Sequence, residues 1–388
     1  MVYDFDEIID RRGTDSVKVD GAARMWNRDD LMPLWVADMD FRTPPFVMDA
    51  IRSRCRHEVL GYSFHPEGWA GSVSAWLNRR HGWKADASWI GFVPGVIPGM
   101  AMGVRCLTSP GDKVMVQSPV YPPFFDVVRR NDRQLVVSPL VRDGGVFRMD
   151  FEAMRRDMKG CRLLLLCNPQ NPGGRVWTEG ELRMVSDICE ENGVLILSDE
   201  IHADMYLPGF RHQVFASVSD YAAAHTVTFM SASKAFNMPG LSSAYFVSSN
   251  ESLRTRFSDF VESLHLDYGN IFAFLANMAA YTDDGEDWLN QMLAYVQRNV
   301  DYLESRVRAS FPEIEVMRPQ SSFLVFLDCR GLHLSQEQLV KLFVEKAHLA
   351  LNDGSTFGSG GEGFMRMNVA SPSCYVVEAM DRLSVALR

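Results

Sequence analysis

Three short apolar runs in the middle of the chain are each followed at once by polar residues that could take part in catalysis. Asn171 follows the run 161–167, Asp199 and His202 follow 194–198, and Ser231, Ser233 and Lys234 follow 225–230. Parallel strands end at one edge of a sheet, and ligands bind in the crevice beyond that edge. If the runs are parallel strands, an amide, a carboxylate, an imidazole, two hydroxyls and an amine converge there.

Taken one at a time, these residues have plainer interpretations. A lysine after a strand is usually a solvated surface residue, and an aspartate there is usually a turn or cap residue. Asn-Pro pairs and glycine turns are common in loops. A single histidine such as His202 is more often packed or exposed than catalytic. Only the combination is informative.

The combination suits an aldehyde cofactor with a heteroaromatic ring. The Lys234 amine can form a Schiff base with an aldehyde. The Asp199 carboxylate can keep a ring nitrogen protonated, and Asn171 can donate a hydrogen bond to a ring oxygen. Tyr121, in the sequence Val-Tyr-Pro-Pro, can stack on the ring.

Other groups suit a phosphate. A glycine turn at 94–99 precedes a predicted helix, and the N–H groups of a helix N-terminus bind anions. The hydroxyls of Ser231 and Ser233 can add hydrogen bonds. Pyridoxal 5′-phosphate is the common cofactor that needs all of these groups together.

The elements that must position these residues form a predicted α/β core. The runs near 113–117, 161–167, 194–198, 225–230 and 243–247 are short, apolar and bounded by turn residues. Such runs are typical of strands buried on both faces of a parallel sheet. Between two of them, Thr178 and Glu181 have capping-box spacing before a helical pattern that Gly193 ends. The order strand, helix, strand predicts a mainly parallel sheet.

The pattern changes after residue 285. A long helix is predicted from 286 to about 311, followed by strands at 314–317 and 323–327 and a helix from about Ser335. This order predicts a second, smaller mixed α/β domain. Residues 1–45 carry no clear element and are expected to wrap across domains or a partner subunit. The predicted division is an N-terminal arm or part of the small domain at 1–45, a large cofactor-binding domain at 46–285 and a C-terminal small domain at 286–388.

The composition argues against several other classes of protein. The chain has 388 residues, of which 47% are hydrophobic, and 39 basic and 49 acidic residues give a formal net charge of −10. A nucleic-acid partner is not expected, because its binding needs a basic surface. The seven cysteines form no CxxC pair and indicate buried thiols rather than a metal site. The acidic N-terminus and the absence of a long apolar run predict a cytoplasmic protein without a membrane partner.

The motifs resemble those of a known enzyme superfamily. Asn-Pro-Gln-Asn-Pro-Gly at 168–173, Asp-Glu at 199–200 and Ser-Ala-Ser-Lys at 231–234 are similar to the fold-type I, pyridoxal-phosphate-dependent enzymes of the class I/II aminotransferase superfamily. Pro-Leu-Trp-Val-Ala-Asp-Met-Asp-Phe at 33–41 resembles the MalY/PatB branch, the bacterial cystathionine β-lyases and cysteine-S-conjugate C–S lyases. The resemblance implies a mainly parallel sheet of the seven-stranded type, flanked by helices, in the large domain.

The resemblance also implies roles around the cofactor ring. Lys234 would carry the cofactor and move protons at the substrate Cα and the cofactor C4′. Asp199 would pair with the pyridine nitrogen, and Asn171 would bond the ring hydroxylate with His202 nearby. Tyr121 would stack on the ring face.

Further implied roles concern the phosphate and the substrate. The groups that would hold the phosphate are the backbone amides of Gly95, Val96 and Ile97 and the side chains of Ser231 and Ser233. Tyr62 would reach the phosphate of the neighbouring subunit, so the resemblance implies a homodimer. Arg366 would bind the substrate α-carboxylate as a two-pronged fork.

The chain departs from the branch pattern at several places. The branch often has Lys-Trp-Asp where 18–20 read Lys-Val-Asp, and Pro-x-Gly-Thr-Tyr where 319–323 read Pro-Gln-Ser-Ser-Phe. It commonly has Cys-Pro-Arg where 371–373 read Ser-Pro-Ser. Ser242 stands where many aminotransferases carry a phosphate-binding arginine, as it does in the lyase branch.

The expected reaction is β-elimination from an L-amino acid that bears a β-thioether, giving a thiol, pyruvate and ammonia. The alternative is an aminotransferase on the same scaffold, because a fold does not fix the reaction type and both reactions share their first steps. A third possibility is a regulator that acts by protein contact, for which no residues of the sequence identify a surface.

Overall fold

The computed structural model describes residues 1–388. The α-helices are α1 Asp20–Trp26, α2 Pro45–Cys55, α3 Trp69–His81, α4 Val96–Leu107, α5 Pro123–Arg129, α6 Phe151–Asp157, α7 Glu179–Asn192, α8 Asp220–His225, α9 Glu251–Ser263, α10 Ile271–Ala280, α11 Asp283–Ser310, α12 Gln336–Lys341 and α13 Ser373–Ala386. The strands are β1 Met32–Pro33, β2 Ile90–Val93, β3 Lys113–Ser118, β4 Gln134–Asp143, β5 Val146–Met149, β6 Cys161–Cys167, β7 Leu195–Asp199, β8 Thr226–Met230, β9 Ala244–Val247, β10 Glu315–Met317, β11 Leu324–Asp328, β12 Leu349–Ala350, β13 Asn352–Asp353 and β14 Phe364–Asn368.

The large sheet has eight strands in the order β2-β9-β8-β7-β6-β3-β4-β5. The five strands from β8 to β4 run parallel, whereas β9, β2 and β5 join antiparallel. The predicted α/β class with a mainly parallel sheet is confirmed. The sheet has one strand more than the seven-stranded type, since β5 folds back on β4 through Gly144 and Gly145. Both glycines have positive φ (56° and 81°), as a tight hairpin turn requires.

The middle strands are apolar on both faces because helices cover both sides of the sheet. Leu163 and Leu165 of β6 pack into a cluster with residues of α4, α5 and α9. Their neighbours Leu164 and Leu166 point to the other face and pack with residues of α6 and α7. This alternation follows from the two-residue period of a strand. Because β8, β7, β6, β3 and β4 are parallel, their carboxyl ends lie at one edge of the sheet.

Helix α7 begins and ends where the sequence predicts. The Thr178 side chain accepts a hydrogen bond from the Glu181 N–H, and the Glu181 side chain binds back to the Thr178 N–H. Gly193 ends the helix with a φ of 63°. The helix connects β6 to β7, the two strands that lead into candidate site residues. Its two ends therefore fix where the chain leaves β6 and where it enters β7.

The C-terminal part forms a separate antiparallel sheet, β10-β11-β14-β13, packed with α11 and α13. The N-terminal segment lies against it, since Met32 and Pro33 pair with Leu349 and Ala350. The expectation that residues 1–45 carry no clear element was wrong for α1 and β1. Helix α1 buries only Ala22, so it has almost no apolar pattern to detect. The domain boundaries stay a prediction, and no helix is both long and apolar enough to cross a bilayer.

Candidate active site

A cavity of ≈ 240 Å³ lies beyond the carboxyl ends of β6, β7 and β8, against the N-terminus of α4. The predicted residues that line it are Gly95, Val96, Ile97, Tyr121, Asn171, Asp199, His202, Ser231, Ser233 and Lys234. They come from separate loops that the parallel sheet brings to one edge. The sequence-predicted cofactor residues therefore meet in one place, with the exception of Tyr62.

Asp199 is a buried carboxyl group at the end of β7. Its Oδ1 accepts a hydrogen bond of 3.0 Å from the Ile201 N–H. Burial raises the pKa of Asp199 to about 7, because the charged form loses its hydration, and the Ile201 hydrogen bond opposes this. No cationic side chain hydrogen-bonds this carboxyl. A positively charged ring N–H would supply the partner that favours the carboxylate.

Lys234 is half-buried and donates a hydrogen bond of 2.6 Å from Nζ to the carbonyl oxygen of Ala37. Burial lowers the pKa of Lys234 to about 8, and the carboxylates of Asp38 and Asp199 oppose the effect. A lysine with this pKa has a larger neutral fraction near neutral pH than an exposed lysine. It can act as a nucleophile or as a base.

His202 lies beside the cavity as a neutral imidazole. Burial lowers its pKa to about 3, and the positive charges of Lys234 and Arg366 act in the same direction. Its Nδ1 is buried without a hydrogen-bond partner in the chain. A buried polar atom of this kind favours a ligand that can bond to it.

The phosphate-binding prediction rests on the start of α4 and on the loop after β8. No side chain caps α4, so its first N–H groups are free to bind an anion at the cavity wall. Ser231 donates to the Ser243 carbonyl (2.5 Å) and accepts from the Ser233 N–H (3.0 Å). These bonds fix the loop so that Ser231 and Ser233 both line the cavity.

Arg366, in β14, is a buried cation without a carboxylate partner. It donates to Asn171 Oδ1 (3.0 Å), the Trp35 carbonyl (3.2 Å) and Asn352 Oδ1 (2.6 Å), all neutral acceptors. Its guanidinium lies 4.8 Å from the centre of the Phe357 ring. Burial lowers the pKa of Arg366 to about 10. An unpaired buried cation is costly, and an incoming carboxylate would neutralise it.

Tyr121 closes another wall of the cavity. It follows β3 and precedes α5, and burial raises the pKa of its hydroxyl while the nearby Arg366 lowers it. The phenol is therefore neutral over the ordinary pH range. Its place in the cavity wall is compatible with the predicted ring contact.

Two predicted residues do not line the cavity: Arg366 contacts it only through Asn171, and Tyr62 lies outside it. Tyr62 is fully exposed and lines a separate surface groove of ≈ 410 Å³ with Leu60, Phe64 and Tyr268. Its predicted role involves a neighbouring subunit, so the single chain leaves that role a prediction.

Several residues in or beside the site escaped the reasoning from sequence. Ala37 contributes a backbone carbonyl, so its side chain gives no signal, and Asn352 reaches Arg366 from a two-residue strand. Ser243 lines the cavity next to Ser242, which the sequence had singled out. The motif at 33–41 was the one available signal for Ala37.

The residues present fit pyridoxal phosphate on structural grounds. The buried Asp199 carboxyl lacks a cation, the start of α4 lacks a cap, and the Lys234 amine lies in the same cavity wall. These groups match the ring nitrogen, the phosphate and the aldehyde of that cofactor.

Comparisons with known proteins agree with this fit. The family model for aminotransferase class I and II matches residues 29–383. The chain is 36% identical to cystathionine beta-lyase PatB of Bacillus subtilis over 99% of both chains. It is 31% identical to protein MalY of Escherichia coli over 100% of this chain and 99% of the other. The PLP-bound C-S lyase from Staphylococcus hominis superposes with a TM-score of 0.92 at 32% identity, over 100% of this chain and 98% of that one.

Proposed function

The chain belongs to the aminotransferase class I and II family, and on that premise we propose that it is a pyridoxal-phosphate-dependent carbon–sulfur lyase. Its substrates are cystathionine or S-conjugates of cysteine, and its products are a thiol, pyruvate and ammonia. One observation carries the proposal: the Lys234 amine and the Asp199 carboxyl share one cavity, and the unpaired Arg366 contacts that cavity through Asn171.

Different cavity residues would bind different parts of the cofactor. Asp199 would hold the ring nitrogen protonated, and Asn171 would bond the ring oxygen while Tyr121 covers the ring. Ser231 and Ser233 would hold the phosphate together with the amides of 95–97. Each role uses a group that already lines the cavity.

When bound, pyridoxal phosphate supplies an electron sink for the electron pair left on the substrate Cα. Lys234 is the base that would remove the Cα proton, because burial lowers its pKa to about 8 and makes the neutral amine more accessible than in an exposed lysine. Asp199 keeps its negative charge next to the ring nitrogen. Arg366 binds the α-carboxylate and thereby orients the Cα–H bond toward Lys234.

Ser242 favours the lyase over the aminotransferase alternative. It lines the cavity at the position where many aminotransferases carry a phosphate-binding arginine. Arg366 does not discriminate between the reactions, because every α-amino acid presents a carboxylate. The relative from Bacillus subtilis is named a cystathionine beta-lyase, and the structure from Staphylococcus hominis is named a C-S lyase.

Incubation of the holoenzyme with L-cystathionine alone tests the reaction type. We expect sustained release of homocysteine, pyruvate and ammonia over many turnovers without a keto acid, and no release with Lys234→Ala. A single stoichiometric turnover that restarts on addition of 2-oxoglutarate or pyruvate would contradict the lyase and support the aminotransferase.

We also propose a homodimer. Leu60, Tyr62 and Phe64 are 66%, 109% and 97% exposed, and Tyr268 beside them is 60% exposed. A contiguous apolar surface of this kind indicates a protein contact. The occupant we propose is a second copy of the chain, whose Tyr62 would complete the phosphate site of the first.

Sedimentation of a charged variant tests the dimer. We expect Leu60→Asp to shift the protein to monomers, because it places a charge in the contact surface. Val385→Asp is the matched control, since Val385 is 69% exposed on α13, outside that surface. If Leu60→Asp and Val385→Asp have the same oligomeric state, the result would count against this interface.

A cytoplasmic location is likewise a proposal. Its support is that all seven cysteines are free thiols, five of them buried. Free thiols are usual in a reducing compartment.

A further inference from the structure

The 35–41 segment, which we define as residues Trp35 to Phe41, runs along the two active-site cations. The Ala37 carbonyl accepts from Lys234 Nζ (2.6 Å), and the Trp35 carbonyl accepts from Arg366 Nη2 (3.2 Å). Asn368 Nδ2 donates to two further carbonyls of the segment at 2.7 Å each. The position of this segment is therefore coupled to the Lys234 and Arg366 side chains.

A buried ion network holds the 35–41 segment from its other side. Arg11 contacts Asp38 at 2.7 Å and Asp40 at 2.9 Å. Lys18 Nζ contacts Asp40 Oδ2 at 2.7 Å, and Ser371 Oγ donates to the same oxygen at 2.7 Å. The Lys18 side chain is 0% exposed, which is rare for a lysine. The two cations and two carboxylates balance in charge.

The network joins two sequence motifs that lie apart in the chain. Lys18 belongs to the Lys-Val-Asp motif at 18–20, and its carbonyl accepts from Trp35 Nε1 at 2.9 Å. Asp20 of that motif accepts hydrogen bonds from three N–H groups of the loop 13–16. The loop is thereby fixed, and Lys18 enters the interior beside Asp40.

We propose that Lys18 and Arg11 are positioning residues, which hold Asp38 and the Ala37 carbonyl against Lys234. The charge of this network thereby sets how tightly the Lys234 nitrogen holds a proton. This inference rests on the proposed function. Neither residue touches the cavity. Each acts through the 35–41 segment.

The charged groups that face Lys234 come from three elements. Asp38 faces it from the 35–41 segment, Asp199 from β7 and Arg366 from β14, while His202 is neutral there. Burial has the largest effect on the Lys234 pKa, and Asp38 has the largest effect among the charges. Loss of the Asp38 charge should weaken proton binding at this nitrogen. Loss of the Lys18 charge leaves the network net negative and should strengthen it.

A pH titration of the visible absorbance of the bound cofactor in the holoenzyme measures this property without turnover. We expect Asp38→Asn to lower the titration midpoint by about half a pH unit or more, the size of a weakened nearby charge interaction. Lys18→Met should raise the midpoint. Asp10→Asn is the matched control, because Asp10 is next to Arg11 in the chain but pairs with Arg12 in solvent, and its midpoint should equal that of the wild type.

Shifts of the titration midpoint in opposite directions for Asp38→Asn and Lys18→Met separate this role from a merely structural one. If Lys18→Met and Asp38→Asn leave the midpoint unchanged, or move it in the same direction, the network does not tune Lys234. If Lys18→Met does not fold, Asp38→Asn against Asp10→Asn decides alone. A wild-type holoenzyme with no cofactor band that borohydride abolishes would instead overturn the proposed function, whatever the variants do.

Discussion

Individual residues in and beside the cavity share one property, a charged or polar atom that the chain buries without a full partner. Asp199 has one N–H donor and no cation, and Arg366 has three neutral acceptors. Removing such a charged group from water costs roughly several kcal/mol, unless a ligand of opposite charge offsets this cost. The cavity is therefore complementary to a cationic ring nitrogen and to a carboxylate.

Replacement of Asp199 by alanine should remove the anionic partner of the ring nitrogen. A loss of ~3–4 kcal/mol of transition-state stabilisation lowers the rate by roughly 10²–10³-fold. Steady-state kinetics at saturating pyridoxal phosphate measure the effect. Asp187→Ala on the exposed face of α7 is the control and should keep wild-type turnover. Near-normal turnover in Asp199→Ala would refute the assigned role.

Lys234 should be the lysine that carries the cofactor. Borohydride reduction of the holoenzyme followed by peptide mapping should place the pyridoxyl group on Lys234, because its amine lines the cavity wall. Lys84 and Lys113 lie outside that cavity and serve as internal controls. A label on either of them would overturn the site assignment.

Among the elements, α7 determines how the strands before and after it present their ends. β6 leads into the loop with Asn171, and β7 ends at Asp199. The reciprocal bonds of Thr178 and Glu181 satisfy N–H groups that the first turn of the helix leaves free. The helix thus starts at a fixed residue, and the β6–α7–β7 unit has a fixed register.

Thr178→Ala should destabilise the protein by about 1 kcal/mol through loss of this cap. The midpoint of urea unfolding measures the change. Thr255→Ala is the matched control, because Thr255 is exposed inside α9, where alanine is a better helix former than threonine. A Thr178→Ala midpoint at or above that of the control would show that the capping box contributes nothing.

In the whole molecule, the N-terminal segment connects the C-terminal part with the site. It pairs with β12 in the C-terminal part, and its Ala37 carbonyl accepts a hydrogen bond from Lys234, which follows β8 of the large sheet. The exposed groove around Tyr62 shares no lining residue with the cavity of its own chain. A complete site in our proposal therefore needs two chains.

Mixed dimers test this shared site. Tyr62→Phe and Lys234→Ala homodimers should each be impaired. Subunit exchange between them should restore part of the activity, because one site of the heterodimer receives both an intact Tyr62 and an intact Lys234. Tagged subunits and purification of the heterodimer verify the exchange. No recovery in verified heterodimers would count against Tyr62 acting across the interface.

The sequence by itself determined the features that depend on local spacing. The capping box at Thr178, the stop at Gly193 and the buried β6 and β7 follow from residue order, because helix and strand periods are local properties. The polar residues after β6, β7 and β8 were predictable as a cavity, since parallel strands end at one edge. The family resemblance added the roles of these residues.

Only the tertiary structure decided the contacts between distant parts of the chain. The antiparallel direction of β9 and the addition of β5 to the sheet depend on pairing, and an apolar run does not encode its direction. The burial of Lys18 beside Asp40 and the contact of Ala37 with Lys234 join residues 22 and 197 positions apart. Such contacts depend on how distant parts of the chain pack, and a backbone carbonyl has no side-chain identity that a sequence could display.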